Sequence, residues 1–183
     1  MAKRLCVFCG SQKGANPIYA EEARRLGRAM AGRGIELVFG GGHIGIMGVV
    51  ADSVLEAGGQ VIGVIPQGLV ERELAHRGLS TLHIVKSMHE RKALMADLSD
   101  AFVALAGGFG TADELFEILT WKQLKLHAKP IGLLNTNGFF DPLLMWIAAA
   151  IGEGFVKEKY RGDLLVENDV QQLLERLLPK PTV

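Results

Sequence analysis

The residues best equipped for chemistry in this chain are Gly107-Gly108-Phe109-Gly110-Thr111 and, three positions on, Glu114. They follow an apolar run, Ala101–Leu105, and open a helical pattern of Leu115, Ile118, Leu119, Trp121 and Leu124. A strand that turns through glycines into a helix presents backbone N–H groups at the positive helix end, which suits it to hold a phosphate. A loop that only held phosphate would gain nothing from a carboxylate beside it. The combination points to a site that binds a phosphorylated substrate and acts on it. A structural reading competes, because Thr111-Ala112-Asp113-Glu114 fits the T-x-x-E capping box, in which Glu114 only satisfies the helix start. Residue type alone favours the cap, and the glycines before it shift the balance towards a ligand. The helix dipole is expected to keep Glu114 ionised, fit to stabilise a developing cation rather than to donate a proton.

Ser87-Met88-His89-Glu90-Arg91-Lys92 supplies the complementary charge. Ser87 and Glu90 form a second capping box, which makes Glu90 structural. Arg91 and Lys92 then fall in the first turns, where the helix dipole disfavours cations. Their placement reads as anion recognition, Arg91 by a bidentate fork and Lys92 as a point charge, against the alternative of a solvated face. His89 could act as an acid, although a histidine beside a cap is more often a hydrogen-bonding residue.

These residues must be positioned by a fold, and composition bounds which one. At 183 residues the chain reads as a single domain over 1–183, long enough to bury roughly two-thirds of its unfolded surface. Lys+Arg and Asp+Glu each number 20, so no bulk field favours nucleic acid or an anionic membrane. The longest apolar runs fall well short of the ~20 residues that span a bilayer. With no signal-like start, a cytoplasmic location is expected. Cys6 and Cys9 have C-x-x-C spacing, but Leu5–Cys9 reads as a buried strand whose residues three apart face opposite ways. They are expected to be structural, because the redox motif needs a helix start and zinc needs further ligands.

Strand-like and helical patterns alternate along the chain. Strands are expected at Arg4–Phe8, Ile35–Phe39, Gln60–Ile65, Leu82–Val85, Ala101–Leu105, Pro130–Leu134 and Leu164–Val166. Helices are expected from Asn16-Pro17 to about Gly32, from Gly45 to Ala57, and from Ser87 to about Leu98. Others follow the Gly107 turn, run from Phe140 to Ile151, and close the chain at Asp169–Leu178. Pro66–Gly78 reads as a polar loop. Strands apolar on both faces and separated by helices imply an α/β, Rossmann-like, doubly wound parallel sheet with helices on both faces. Ligands in such sheets sit beyond the carboxyl ends of the strands. The clusters Gly10-Ser11, Gly40–Gly42 and Gly107–Gly110 fall there. The G-x-G-x-x-G fingerprint and the G-x-x-x-x-G-K-[ST] loop are both missing, which disfavours NAD and a P-loop NTPase.

Gly107-Gly108-Phe109-Gly110-Thr111-x-x-Glu114 resembles the PGGxGTxxE signature of the LONELY GUY (LOG) family, often mislabelled as lysine decarboxylases. Met88-His89-Glu90-Arg91-Lys92 resembles that family's second motif. The likeness extends through Val7–Ser11, Gly40-Gly41-Gly42-x-x-Gly45-x-Met47-Gly48, Val61–Pro66, Thr120-Trp121-x-Gln123-Leu124 and Lys129–Asn135. The signature's proline is Ala106 here, which removes some rigidity but no donor.

The resemblance implies hydrolysis of the N-glycosidic bond of AMP or an N6-modified AMP to free base and ribose 5-phosphate. It implies no cofactor and no metal. Arg91 and Glu114 are then the catalytic pair. The Gly107, Gly108, Phe109, Gly110 and Thr111 amides would hold the 5′-phosphate. Glu73, Lys92, Thr120, Ser11, Gly41, Gly42 and Met88 complete the expected nucleotide contacts. Thr120 lies about 120° around the helix from Glu114, so one subunit does not bring both to one ligand, and a homodimer is expected. Rival readings are a non-catalytic nucleotide carrier, the lysine decarboxylase of the old label, and a deoxyribosyltransferase.

Overall fold

Seven strands form one parallel sheet: β1 (Arg4–Phe8), β2 (Glu36–Phe39), β3 (Val61–Pro66), β4 (Thr81–Val85), β5 (Ala101–Ala104), β6 (Ile131–Leu134) and β7 (Leu164–Glu167). Their spatial order in this computed structural model, which describes residues 2–70 and 74–179, is β4-β3-β2-β1-β5-β6-β7. Cys6 on β1 pairs in register with Val38 on one side and Phe102 on the other. Among the described residues, six α-helices connect the strands, α1 (Ile18–Gly32), α2 (Gly45–Glu56), α3 (Gln67–Val70), α4 (Met88–Leu98), α5 (Phe109–Gln123) and α6 (Asp141–Gly152), and α7 (Val170–Leu177) follows β7.

The period of two along β1 divides the core. Leu5, Val7 and Cys9 face α1, α2 and α7, where they pack with Leu26, Met30, Val50 and Leu173. Cys6 and Phe8 face the other layer, with Met95 of α4 and Leu115 and Ile118 of α5. The two cysteines therefore lie on opposite faces, free and buried, as expected of structural residues. Burial pushes both thiols up.

The chain winds outward from β1 to β4, then returns to β1's other edge with β5. Such a reversal opens a crevice beyond the strand ends, because the connections on either side leave in opposite directions. Gly10 and Ala106, which follow β1 and β5, are tied across it by Gly10 N–H donating to the Ala106 carbonyl at 3.2 Å.

Two local expectations need correction. Asn16 does accept from Ile18 N–H at 3.0 Å, but Pro17 stands just before α1 rather than in its first position. The segment read as a polar loop starts as a helical turn, α3, and Ala75 bridges back to Gly42. Arg72 and Glu73 lie outside the described residues.

Candidate active site

α4 starts as its sequence dictates. Ser87 Oγ accepts Glu90 N–H at 3.1 Å, and the Glu90 carboxylate accepts Lys86 N–H at 2.8 Å. This reciprocal cap directs the next residue, Arg91, inward. Its guanidinium is buried, which excludes the solvated-face alternative. Nε donates to Val64 O, within β3, at 3.1 Å and Nη2 to Gly40 O, just past β2, at 3.0 Å. A Cβ at Gly40 would lie 1.7 Å from Nη2, so only glycine leaves room for this cation.

α5 starts differently. Its N-cap is Gly108, no side chain caps it, and its first internal bond runs from Ala112 N–H to Gly108 O. The T-x-x-E capping box is not made. Thr111 is already helical, and its hydroxyl is buried with no partner. A cap needs an extended residue whose oxygen turns back on the next turn, and Gly108 takes that place three residues earlier. The first-turn N–H groups of α5 are thus left open. Gly107 lets the turn fold tightly, since a Cβ there would lie 2.1 Å from Thr111 Oγ1.

Arg91, Thr111 and Glu114 meet in an open cleft at the strand ends. No ion pair joins Arg91 to Glu114, although both are described and line the same space. Glu114 is partly buried, and burial pushes its carboxyl from 4.5 up to about 7. The Arg91 charge opposes this rise, while Asp113 and Glu117 add to it. The expectation of a carboxylate kept fully ionised by the dipole is therefore corrected. Lost solvation outweighs the helix end.

Of the other expected residues, Ser11, Gly42, Gly108, Phe109 and Gly110 line this cleft. Gly107 lines an adjoining one with Ser11, Lys13, Tyr19 and Phe139. Gly41 lies behind the wall, its carbonyl accepting His76 N–H at 2.8 Å. Met88 places its sulfur 3.7 Å from Arg91 Nη1. Lys92 is held by Asp113 and Glu117, each at 3.0 Å. Those two hydrogen-bonded carboxylates raise the lysine's pKa against the effect of burial. Thr120 opens onto a separate cleft with Phe116, Trp146 and Tyr160. His89 is exposed and Glu73 is outside the described residues.

Sequence reasoning missed the apolar end of the cleft: Ile44, Met47, Ile65, Leu69 and Leu74. The glycine run and Met47 marked part of that wall. Leu69 and Leu74 carried no periodic signal. A polar end of open amides, a fixed cation and a titrating carboxyl, facing an apolar end, suits a phosphorylated ligand with a flat apolar ring.

A family model described as "Possible lysine decarboxylase" matches residues 47–177. The cytokinin riboside 5′-monophosphate phosphoribohydrolase LOG of Oryza sativa subsp. japonica is 47% identical over 175 residues, covering 96% of this chain and 72% of that one. A cytokinin riboside 5′-monophosphate phosphoribohydrolase of Rhodococcoides fascians is 48% identical over 170 residues, covering 92% and 86%. Among solved structures, the molybdenum cofactor carrier protein of Chlamydomonas reinhardtii aligns with a TM-score of 0.75 at 23% identity, covering 98% and 100%, a likeness of fold.

Proposed function

Since this chain belongs to the LOG family, we propose that its cleft hydrolyses the N-glycosidic bond of a cytokinin riboside 5′-monophosphate, with Arg91 and Glu114 as the catalytic pair. The products are free base and ribose 5-phosphate. The observation that carries the assignment is the convergence of Arg91 and Glu114, from separate helices and unpaired to each other, beside the uncapped start of α5.

The 5′-phosphate sits on the open amides of Phe109, Gly110 and Thr111, where the unpartnered Thr111 hydroxyl donates to it. Arg91, clamped by two carbonyls, directs its remaining N–H groups at the phosphate and sugar. Its position is set before substrate arrives, so little reorganisation is needed as charge develops. Water adds to C1′ while the C1′–N9 bond breaks, and the bonding pair leaves with the base, which takes up a proton from solvent to give the free base. The sugar passes through an oxocarbenium-like state, which the Glu114 carboxylate stabilises while taking the water's proton. A carboxyl near 7 suits this proton transfer at neutral pH better than an ordinary glutamate does. The base lies against the apolar end.

Lysine decarboxylation would need a lysine in the site to carry pyridoxal phosphate. Among the described residues, no lysine lines the cleft that holds Arg91 and Glu114.

The active form we propose is a homodimer. α6 is almost wholly apolar, yet only Ile151 on it is buried, and Met145 and Trp146 are 70% and 58% exposed. A second copy on this face would cover them and bring Thr120 to the neighbour's nucleotide. Two free cysteines accord with a reducing cytoplasm, and among the described residues no helix is long and apolar enough to cross a membrane.

Glu114→Gln and Arg91→Ala are each expected to cut base release from AMP and N6-isopentenyl-AMP by about a thousandfold, with circular dichroism unchanged. Near-normal turnover in either variant would sink the assignment.

A further inference from the structure

His76 lies outside the cleft, and nothing above gives it a role, yet three segments converge on it. The chain returning from α3 is strapped onto the glycine turn after β2. Leu74 N–H donates to Leu69 O at 3.3 Å, and His43 N–H donates to Leu74 O at 3.0 Å. The His43 ring reaches the same carbonyl from Nδ1 at 3.1 Å, and as a carbonyl only accepts, Nδ1 carries the proton. Ala75 bridges Gly42, and His76 N–H donates to Gly41 O at 2.8 Å.

A strap paired to Gly41, Gly42 and His43 has its register set but gains little stiffness from the two glycines. The His76 ring supplies a second anchor on a helix. Gly78 N–H donates to Nδ1 at 3.1 Å, so Nε2 carries the proton and donates to Asp52 Oδ1 on α2 at 2.8 Å. α2 also carries Met47, which lines the cleft together with Leu69 of α3 and the strap's Leu74. The bond therefore ties the strap to the helix that carries Met47. With the phosphate on α5 and the sugar between Arg91 and Glu114, the base occupies the apolar end. Its exocyclic N6 is the part farthest from the sugar and meets these side chains.

We infer that His76 is a specificity-determining positioning residue: its bond to Asp52 fixes the strap that closes the apolar end of the cleft, and so sets which N6 substituents are accepted. The inference rests on the phosphoribohydrolase reading above. His76 touches no substrate and acts through Leu69 and Leu74.

The test compares kinetics on AMP and N6-isopentenyl-AMP for the wild-type chain, His76→Ala, His76→Gln, His76→Asn and Asp52→Ala. His76→Ala and Asp52→Ala are expected to change the ratio of kcat/KM for the two substrates by about fivefold or more. The change should appear in KM, with kcat on AMP within about twofold of wild type. Glutamine keeps a donor near the Nε2 position and should restore the ratio, whereas asparagine, which mimics only Nδ1, should not. Asp52 is exposed on α2, so its alanine variant tests the bond even if His76→Ala fails to fold. A loss of melting temperature with an unchanged ratio in Asp52→Ala would make the contact merely structural and overturn the inference. An active wild type with unchanged ratios in the variants overturns this inference alone. A wild type that releases base from neither nucleotide overturns the hydrolase reading and this one with it.

Discussion

α4 and α5 both start at the rim of the same cleft, and each delivers one member of the proposed catalytic pair. Their first turns carry the same pattern, Ser87-x-x-Glu90 and Thr111-x-x-Glu114. In α4 the pattern is a cap: serine and glutamate are consumed by backbone N–H groups, and Arg91 is left for the cleft. In α5 the helix begins earlier, at Phe109, so the threonine hydroxyl and the glutamate are both left unspent. A helix start that satisfies itself is a scaffold, and one that leaves donors open near a partly buried carboxyl can serve as a site. The difference lies in the glycines ahead of Thr111. They let the chain enter the helix without a side-chain cap.

The largest effect expected from this contrast concerns Glu114, whose poise for proton transfer comes at a cost in stability. Raising a carboxyl from 4.5 to about 7 disfavours its ionised form by on the order of 3 kcal/mol. The folded state holds the proton over that interval while the unfolded state has released it. Stability therefore falls as pH rises from about 4.5 to about 7 and is level above. Glu114→Gln should melt higher than wild type at pH 8 and equally at pH 4, in thermal melts at both values. Under the proposed mechanism activity runs the other way, because there the carboxylate is the working form. Wild-type kcat/KM should drop as pH falls below about 7. A Glu114→Gln chain that gains nothing at pH 8 would mean that the carboxyl is not strained by burial.

A crossed pair of variants tests the two helix starts directly. Thr111→Val keeps the shape and deletes an unpartnered hydroxyl, so the melting temperature should hold or rise. KM for the nucleotide should climb by about tenfold to a hundredfold, the worth of a hydrogen bond to a charged phosphate. Ser87→Ala deletes a made cap and should cost about 1 kcal/mol of stability, with kcat/KM within about twofold of wild type. If Thr111→Val destabilises the chain and leaves KM alone, α5 is a scaffold like α4, and the contrast collapses.

Strand positions were legible because apolar runs bounded by glycines leave few alternatives. Each expected strand matches an observed one to within a residue or so, including β7 at Leu164. The opposite facing of Cys6 and Cys9, and the turning of Thr120 away from Glu114, followed from the geometry of strand and helix alone. The start of α5 was not legible, since T-x-x-E describes residue types and says nothing of where helical dihedrals begin. Nor was Arg91's burial, which depends on carbonyls at Gly40 and Val64, 51 and 27 positions away. Leu69 and Leu74 were invisible for a related reason: a strap built on bonds to a distant glycine turn leaves no periodic trace.

Lys92 offers the smallest and most diagnostic perturbation, because it bridges the two helices. It was expected on the nucleotide, yet its ammonium is bound to Asp113 and Glu117, which flank Glu114 on α5. Its charge lowers the Glu114 carboxyl, while Asp113 and Glu117 raise it. Lys92→Met removes the favourable charge and leaves both carboxylates unneutralised, so the acid limb of the pH–rate profile should move to higher pH. Activity at pH 6 should fall by about threefold to tenfold and at pH 8.5 by less than about twofold, with KM little changed, since one pKa unit is a factor of ten in protonation. A lysine that leaves its carboxylates to grip the substrate phosphate would give the opposite pattern: KM raised at every pH and the limb unmoved. The two profiles separate a cation that serves the scaffold from one that serves the site, which is the distinction between the two helix starts themselves.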